Sequence, residues 1–564
     1  MCFGIASDFM EKFLGKTTLL PRFTDQVSRR SFLSAGLAWN AASAFASLSI
    51  AQYLAASPEI RTGGIAETAT GKVQGFIDRD IQVFKGVPYG ADTAPRRFKT
   101  PRPPEPWKGV RSALAFGPRA PQPRPPAKAS TAGSVADPGG PVSEDCLYLN
   151  VWTPALRDGK KRPVMVYIHG GGYVAHAANF DIYDGVSLCR RGDVVVVTLN
   201  HRLNIFGYLY LADLGGPEFA DSGNVGQLDL ILALKWVQEN IEEFGGDPKR
   251  VLIFGESGGG GKVATLMAMP SAIGLYHRAA TSSGEAVNAL AVEDGTRQAE
   301  AILDALGLGL NEVEKLKTVP IDNLISASIA VHNYGPIVDG RALSRIPFDP
   351  DAPSISAQVP FMVGTNHDES RALIGENNPA LFDLTWETLK PNLIPYKNRM
   401  GDLDRMVGLY RRLYPQYSAS DVFFAATTDS HDWRAAVLEI ERRAALPLGS
   451  APTYSYELKW GSPVDGGKFK ACHGLDLTLI FDNVALSHRM TGTGPEAYIL
   501  AAQLSEAYIA FARNGNPNNA MIPDWRPYEV PRRATMAFDI KSTLFDDPRG
   551  EERQFFSQVP YDVP

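Results

Sequence analysis

Short unbroken apolar runs recur along this chain and alternate with longer stretches of helical period. Residues 163–169 (Pro-Val-Met-Val-Tyr-Ile-His), 193–199 and 250–254 are each the length of one strand, and each is apolar on both side-chain parities. That pattern predicts central strands of a sheet covered on both faces. Between them, residues 224–244 carry Leu228, Ile231, Leu232, Leu234, Trp236, Val237 and Ile241 at helical spacing and stop at Gly245-Gly246, which predicts a helix. Further strands are predicted at 277–282 and 359–365. The last strands are expected at 452–458 and 534–538, around a helix near 496–513. The alternation of strand and helix argues for an α/β class, with a large, mostly parallel, twisted, doubly wound sheet flanked by helices. Upstream, two alternating runs with a glycine-containing turn over residues 65–89 predict a hairpin. Pro-rich residues 94–141 read as an irregular surface segment, of which 119–141 is expected to be a mobile loop. Residues 143–154 then lead a strand into the core. Residues 374–430, aromatic-rich and helical in pattern, read as an inserted cap.

One junction carries chemistry. The strand at 250–254 runs into Gly255-Glu256-Ser257-Gly258-Gly259, and a helix is predicted from Gly258 to Met269. This G-x-S-x-G fits a turn so sharp that the serine is strained and its Oγ stands exposed at a helix N-terminus. Side chains two residues either side of the serine would collide with neighbouring backbone. The helix dipole and free N–H groups there favour developing negative charge. By itself the pattern is weak in a chain with 52 glycines, and an incidental serine in a glycine-rich connection is the plain alternative. The strand before it and the helix after it strengthen the chemical reading. A second glycine loop, His169-Gly170-Gly171-Gly172-Tyr173, follows the strand at 163–169. Glycines let backbone N–H groups come close enough to hold an oxyanion, and the donors expected here are Gly171, Gly172 and Gly258. A flexible turn after a strand is the alternative.

Composition narrows the classes. Apolar residues make up 44% of the 564 and charged residues 21%, as in a globular protein with a large core. Net charge is −6, and no Lys/Arg cluster with interleaved aromatics occurs, so nucleic acid is not an expected partner. Cys2, Cys146, Cys189 and Cys472 have no metal-ligand spacing, and neither a metal nor a cofactor is expected. Residues 1–57 differ from the rest. Ser28-Arg29-Arg30-Ser31-Phe32-Leu33-Ser34 precedes a mild Ala/Ser-rich apolar run, the layout of a twin-arginine export signal. Cleavage is expected between about 46 and 57, leaving 58–564 as one domain with no stable membrane anchor. The expected partner during export is the twin-arginine translocase, and the destination is periplasmic or secreted. A surface helix or an uncleaved anchor is the other reading of this stretch.

Taken together the motifs resemble the type-B carboxylesterase (cholinesterase-like) family of α/β-hydrolases. The elbow signature is matched from Phe244 through Gly259, and a second by Glu144-Asp145-Cys146-Leu147-Tyr148-Leu149-Asn150-Val151-Trp152-Thr153-Pro154. Supporting matches run from Phe84 to Tyr89, Asn200 to Leu203 and Gly515 to Asn518. The resemblance covers nearly the whole chain after residue 57 and implies an α/β-hydrolase fold and a serine ester hydrolase.

A serine nucleophile needs a base, and the base needs an orienting carboxylate, in the order serine, acid, histidine. Histidines stand at 169, 176, 201, 277, 332, 367, 431, 473 and 488, and only the last three follow the acid candidates. His473, in Cys472-His-Gly-Leu-Asp-Leu477, looks like the family's histidine loop; His431 and His488 read as solvated. Asp368 and Glu369 both leave the end of the 359–365 strand, and physical chemistry alone does not separate them. The resemblance puts the acid at Glu369. Glu256 and Ser283 match family positions near the site. The family's cysteine partner for Cys146 is missing from residues 58–145, so that disulfide is not expected.

The reading is therefore an esterase that acts on a small-molecule ester through Ser257, His473 and Glu369 and an acyl-enzyme. A non-catalytic binding protein on the same fold is one alternative; an amidase or lactonase with the same triad is another. Residues 117–145 hold no Trp, Tyr or Phe, so the aromatic face on which cholinesterases seat a quaternary ammonium is not expected there. The cap residues Phe382, Trp386 and Tyr396 are the other possible suppliers.

Overall fold

The computed structural model describes residues 61–123, 139–331 and 333–561. The export-signal reading, most of the 119–141 loop, and His332 lie outside the described residues. Among the described residues, thirteen strands form one sheet: β1 (Arg61–Thr68), β2 (Gly71–Asp78), β3 (Ile81–Pro88), β4 (Val110–Ser112), β5 (Tyr148–Thr153), β6 (Arg162–Ile168), β7 (Val195–Leu199), β8 (Gly246–Glu256), β9 (Arg278–Ser282), β10 (Phe361–Asn366), β11 (Thr453–Leu458), β12 (Ala534–Phe538) and β13 (Thr543–Asp546). Their order is β1-β2-β3-β5-β7-β6-β8-β9-β10-β11-β12-β13, with β4 on β2.

The long parallel ladder runs through the middle, from β7 through β12, and the short β4 also pairs parallel with β2. Both ends are antiparallel: β1 to β2, β3, β5 and β7 on one side, β12 to β13 on the other. The sheet is therefore mixed. The cause is burial. β6, β7 and β10 are buried along their whole length, as a strand between two helical layers must be. β1 and β13 are largely exposed, which antiparallel strands tolerate.

Even the wholly apolar strands keep a period of two. Val164, Val166 and Ile168 face one core with Leu230, Leu234 and Val237 of the helix Val225–Asn240. Met165 and Tyr167 face the other, with Leu500, Leu504, Tyr508 and Phe511 of the helix Pro495–Asn514. The short helices of 374–430 have a core of their own, centred on Leu389, Met406, Tyr410, Phe423 and Phe424. A buried ion network fixes this segment's end: Arg549 bonds Glu457 of β11 at 2.8 Å and also bonds Asp429.

Two sequence readings need correction. The expected hairpin over 65–89 is three strands. Its second turn is made by Arg79 and Asp80, both left-handed at φ 48° and 69°, and residues other than glycine there gave no turn signal. The 534–538 strand is also not the last, because β13 follows it. That strand is four residues long and exposed on three of them, with little apolar pattern to read. The three described cysteines, Cys146, Cys189 and Cys472, are buried free thiols.

Candidate active site

The site is built on the end of β8. Ser257 lies at φ 57°, ψ −134°, a region L-residues rarely occupy and one that costs on the order of 1–3 kcal/mol. The surroundings leave it no alternative. Its N–H donates to the Ser282 carbonyl of β9 at 2.8 Å, and its carbonyl accepts from Gly261 N–H at 3.2 Å. The elbow glycines are required by space: a Cβ at Gly259 would strike the Ile168 carbonyl, and one at Gly255 the Gly259 backbone. From here the helix Gly258–Met267 runs back under the sheet.

The glycine loop after β6 closes over the serine. A Cβ on Gly170 would stand 3.2 Å from Ser257 Cβ, and one on Gly258 would collide with the Gly172 backbone. Gly171 and Gly172 are left-handed, at φ 80° and 58°. Thus Gly171, Gly172 and Gly258 gather around Ser257. Among the described residues, their amides donate to no other protein group. Unsatisfied amides at one point are what an oxyanion needs.

The two neighbouring carboxylates separate clearly. Glu369 is completely buried and accepts from His473 Nδ1 at 2.7 Å, Asn366 N–H at 2.6 Å and Ser283 Oγ at 2.5 Å. Asp368 instead pairs with His367 Nδ1 at 3.1 Å and Arg371 Nε at 3.2 Å. So Glu369 joins His473, and Asp368 belongs to a neighbouring ion network. The other ring nitrogen, His473 Nε2, lies 3.2 Å from Glu256 Oε1. The angle there is too poor for a hydrogen bond, and both atoms are buried without one among the described residues. No hydrogen bond joins Nε2 to Ser257 Oγ in this state. Such contacts are often loose before substrate binds.

Of the other late histidines, His488 is exposed. His431 sits on a single π-helical turn, Asp429–Trp433, beside Asp432 at 3.2 Å. Its neighbours Asp429, Ser430 and Asp432 are buried, which a polar run read as solvated does not suggest. His431, Tyr173, Glu285 and Tyr334 line a cavity of about 710 Å³ bordering the glycine loop. The cap aromatics already carry cations: Lys468 lies 4.1 Å over Phe382, Arg411 4.6 Å over Trp386 and Arg399 5.1 Å over Tyr396.

Sequence reasoning missed the polar layer beneath the site. Asp476 accepts from Ser282 Oγ, from Tyr456 Oη at 2.8 Å and from Asn366 Nδ2 at 3.1 Å. Asn366 also bonds Ser283 Oγ at 3.2 Å, linking this layer to Glu369. Asp476 lies three residues after His473, and Asn366 three before Glu369, so proximity to the candidates was the available signal.

A strained serine at a strand-to-helix elbow, a glycine loop of free amides beside it and a histidine held by a buried glutamate on this sheet define an α/β-hydrolase. The chain belongs to the carboxylesterase family: residues 63–556 match the model of that family. It is 34% identical over 509 residues to a para-nitrobenzyl esterase of Bacillus subtilis (strain 168), covering 87% of this chain and 98% of that one. It is 31% identical over 498 residues to a phenmedipham hydrolase of Pseudarthrobacter oxydans, covering 83% and 94%. Among solved structures, a Geobacillus stearothermophilus carboxylesterase superposes with a TM-score of 0.76 at 34% identity, covering 87% of this chain and 99% of that one. The protein is an ester hydrolase.

Three carboxylates bear on one imidazole. Burial alone would lower the His473 pKa, but Glu256, Glu369 with its hydrogen bond, and Asp432 outweigh it and push it up to about 10. Burial pushes Glu256 up to about 8, opposed by the positive charge of His473. The neutral imidazole is therefore gained only as pH rises above its ordinary ~6.5. Removing one carboxylate lowers that threshold. Glu256→Gln is expected to move the acid limb of the kcat/KM–pH profile to lower pH. A limb that stays in place, or moves up, would show that Glu256 does not act on His473.

Proposed function

We propose that this protein hydrolyses small carboxylic esters through Ser257, His473 and Glu369 by way of an acyl-enzyme. His473 Nε2 takes the Ser257 proton as Oγ attacks the ester carbonyl. The tetrahedral oxyanion is held by the amides of Gly171, Gly172 and Gly258. Collapse expels the alcohol, which receives its proton from His473. A water molecule, deprotonated by His473, then attacks the acyl-enzyme and restores the serine. Glu369 holds the imidazole by Nδ1, leaving Nε2 for this proton traffic. The observation that carries the reading is the 2.7 Å bond between His473 Nδ1 and a fully buried Glu369, beside a serine kept at positive φ.

The alcohol or acyl group is taken to be neutral rather than cationic, because the cap aromatics are already covered by basic side chains. An amide or lactone would need the same groups, and relatives at 34% and 30% identity are named para-nitrobenzyl esterase and cocaine esterase. We further propose export by the twin-arginine route, supported by Arg29-Arg30 and the apolar run behind it. No nucleic-acid partner, metal or cofactor enters this scheme.

Ser257→Ala is expected to fold normally and lose ester turnover by a factor on the order of 10⁶ in kcat. Glu369→Gln should be severely impaired and Asp368→Asn much less so, measured with a chromogenic ester. Near-normal turnover in the alanine variant, or the reverse order of the two carboxylates, refutes the assignment. For export, Arg29→Lys with Arg30→Lys should leave full-length precursor in the cytoplasm. Unchanged trimming and export would refute the twin-arginine route.

A further inference from the structure

The helix that starts at the elbow carries an unusual side chain one turn on. Lys262 is completely buried, and among the described residues no carboxylate lies within ion-pair distance of it. Its ammonium bonds two main-chain carbonyls, Gly172 at 2.7 Å and His169 at 3.0 Å. Both belong to the glycine loop that closes over Ser257. The ammonium also lies 5.3 Å from the ring of Tyr173, the next residue of that loop. Every polar contact of this cation is thus made to one five-residue segment. A lysine's charge is costly to bury, and a methionine would fill much the same space without that cost.

We propose that Lys262 is a positioning residue for the oxyanion-binding loop, clamping the carbonyls on its inner side so that the Gly171 and Gly172 amides stay turned toward Ser257. The carbonyls it holds belong to the 169–170 and 172–173 peptides, which bracket the two peptides carrying the Gly171 and Gly172 amides, so that the segment between them is held at both ends. Gly172 stands at φ 58° with nothing near where a Cβ would stand, and the Gly171 carbonyl before it accepts from Val174 N–H at 3.2 Å and Ala175 N–H at 3.1 Å, so the lysine completes the hold on this short segment. The ammonium holds its place fully buried against that loop. The charges facing it are few. His169 and His201 stack at 4.8 Å between ring centroids, and burial holds both well below the ordinary imidazole value, hence neutral. Glu256 is the one carboxylate whose field supports the ammonium; burial opposes it and brings Lys262 down to about 7.

This inference rests on the reading of Ser257 as nucleophile and deepens it. Lys262→Met keeps the volume and removes the donors and the charge. It is expected to lower kcat for a p-nitrophenyl ester by between about 10- and 1000-fold, the upper figure matching loss of a whole oxyanion donor. KM should change less than about threefold, since the interaction matters in the transition state. Binding of a trifluoromethyl ketone, which forms a hemiketal oxyanion on the serine, should weaken in parallel with kcat. Lys262→Gln, whose amide can still donate to one carbonyl, guards against a methionine variant that does not fold and should fall in the same direction. Lys262→Arg, keeping charge and donors, should recover part of the loss. If either neutral variant keeps kcat within threefold of wild type, or loses ketone affinity and KM together, the proposal is overturned. Failure of the nucleophile reading shows elsewhere, as turnover persisting in Ser257→Ala.

Discussion

The structure depends on one close approach: the backbone of the elbow passes so near the end of β6 that only glycine fits two residues after Ser257. A Cβ at Gly259 would meet the Ile168 carbonyl, and one at Gly170 would press on Ser257 itself. That contact forces the serine to positive φ and lays the glycine loop across it. The loop then has amides without protein acceptors. The parallel middle of the sheet supplies the rigidity, because β6 and β8 are adjacent, parallel and packed on both faces. Strain of the order stored here persists only when surrounding structure over-determines it.

Electrostatics sets the second constraint. Glu256, Glu369, Asp432 and Asp476 are all buried, and the charge of His473 opposes burial at both Glu256 and Glu369. Burial raises Glu369 even though His473 pulls the other way. The site therefore holds protons that isolated groups would have released near neutrality. Titration belongs to the cluster rather than to any single residue. The carboxylate on Nδ1 holds the ring by a hydrogen bond, whereas the one near Nε2 lies 3.2 Å away and acts on it through charge alone.

Much of this was legible in the sequence where the residues had no freedom. The buried strands announced themselves as apolar runs, since a strand covered on both faces carries few polar side chains, each of them needing a buried partner. The elbow announced itself through glycines that sterics impose. Asp368 and Glu369 could not be told apart, because adjacent residues at a strand end differ only in where their side chains turn. The structure turns Glu369 inward to Ser283, Asn366 and His473, and Asp368 toward Arg371. The Arg79-Asp80 turn and β13 escaped notice because neither has the composition that marks such elements. Lys262 gave no signal either: its meaning lies in which carbonyls it reaches across the fold, which no spacing along the chain reveals.

The central claim is that Ser257 becomes covalently acylated. The most direct measurement is mass spectrometry of the protein after treatment with an organophosphonate ester, followed by peptide mapping. A single adduct, stoichiometric with lost activity and located on Ser257, is the result this account requires. An adduct at another residue, or inactivation with none, would contradict it.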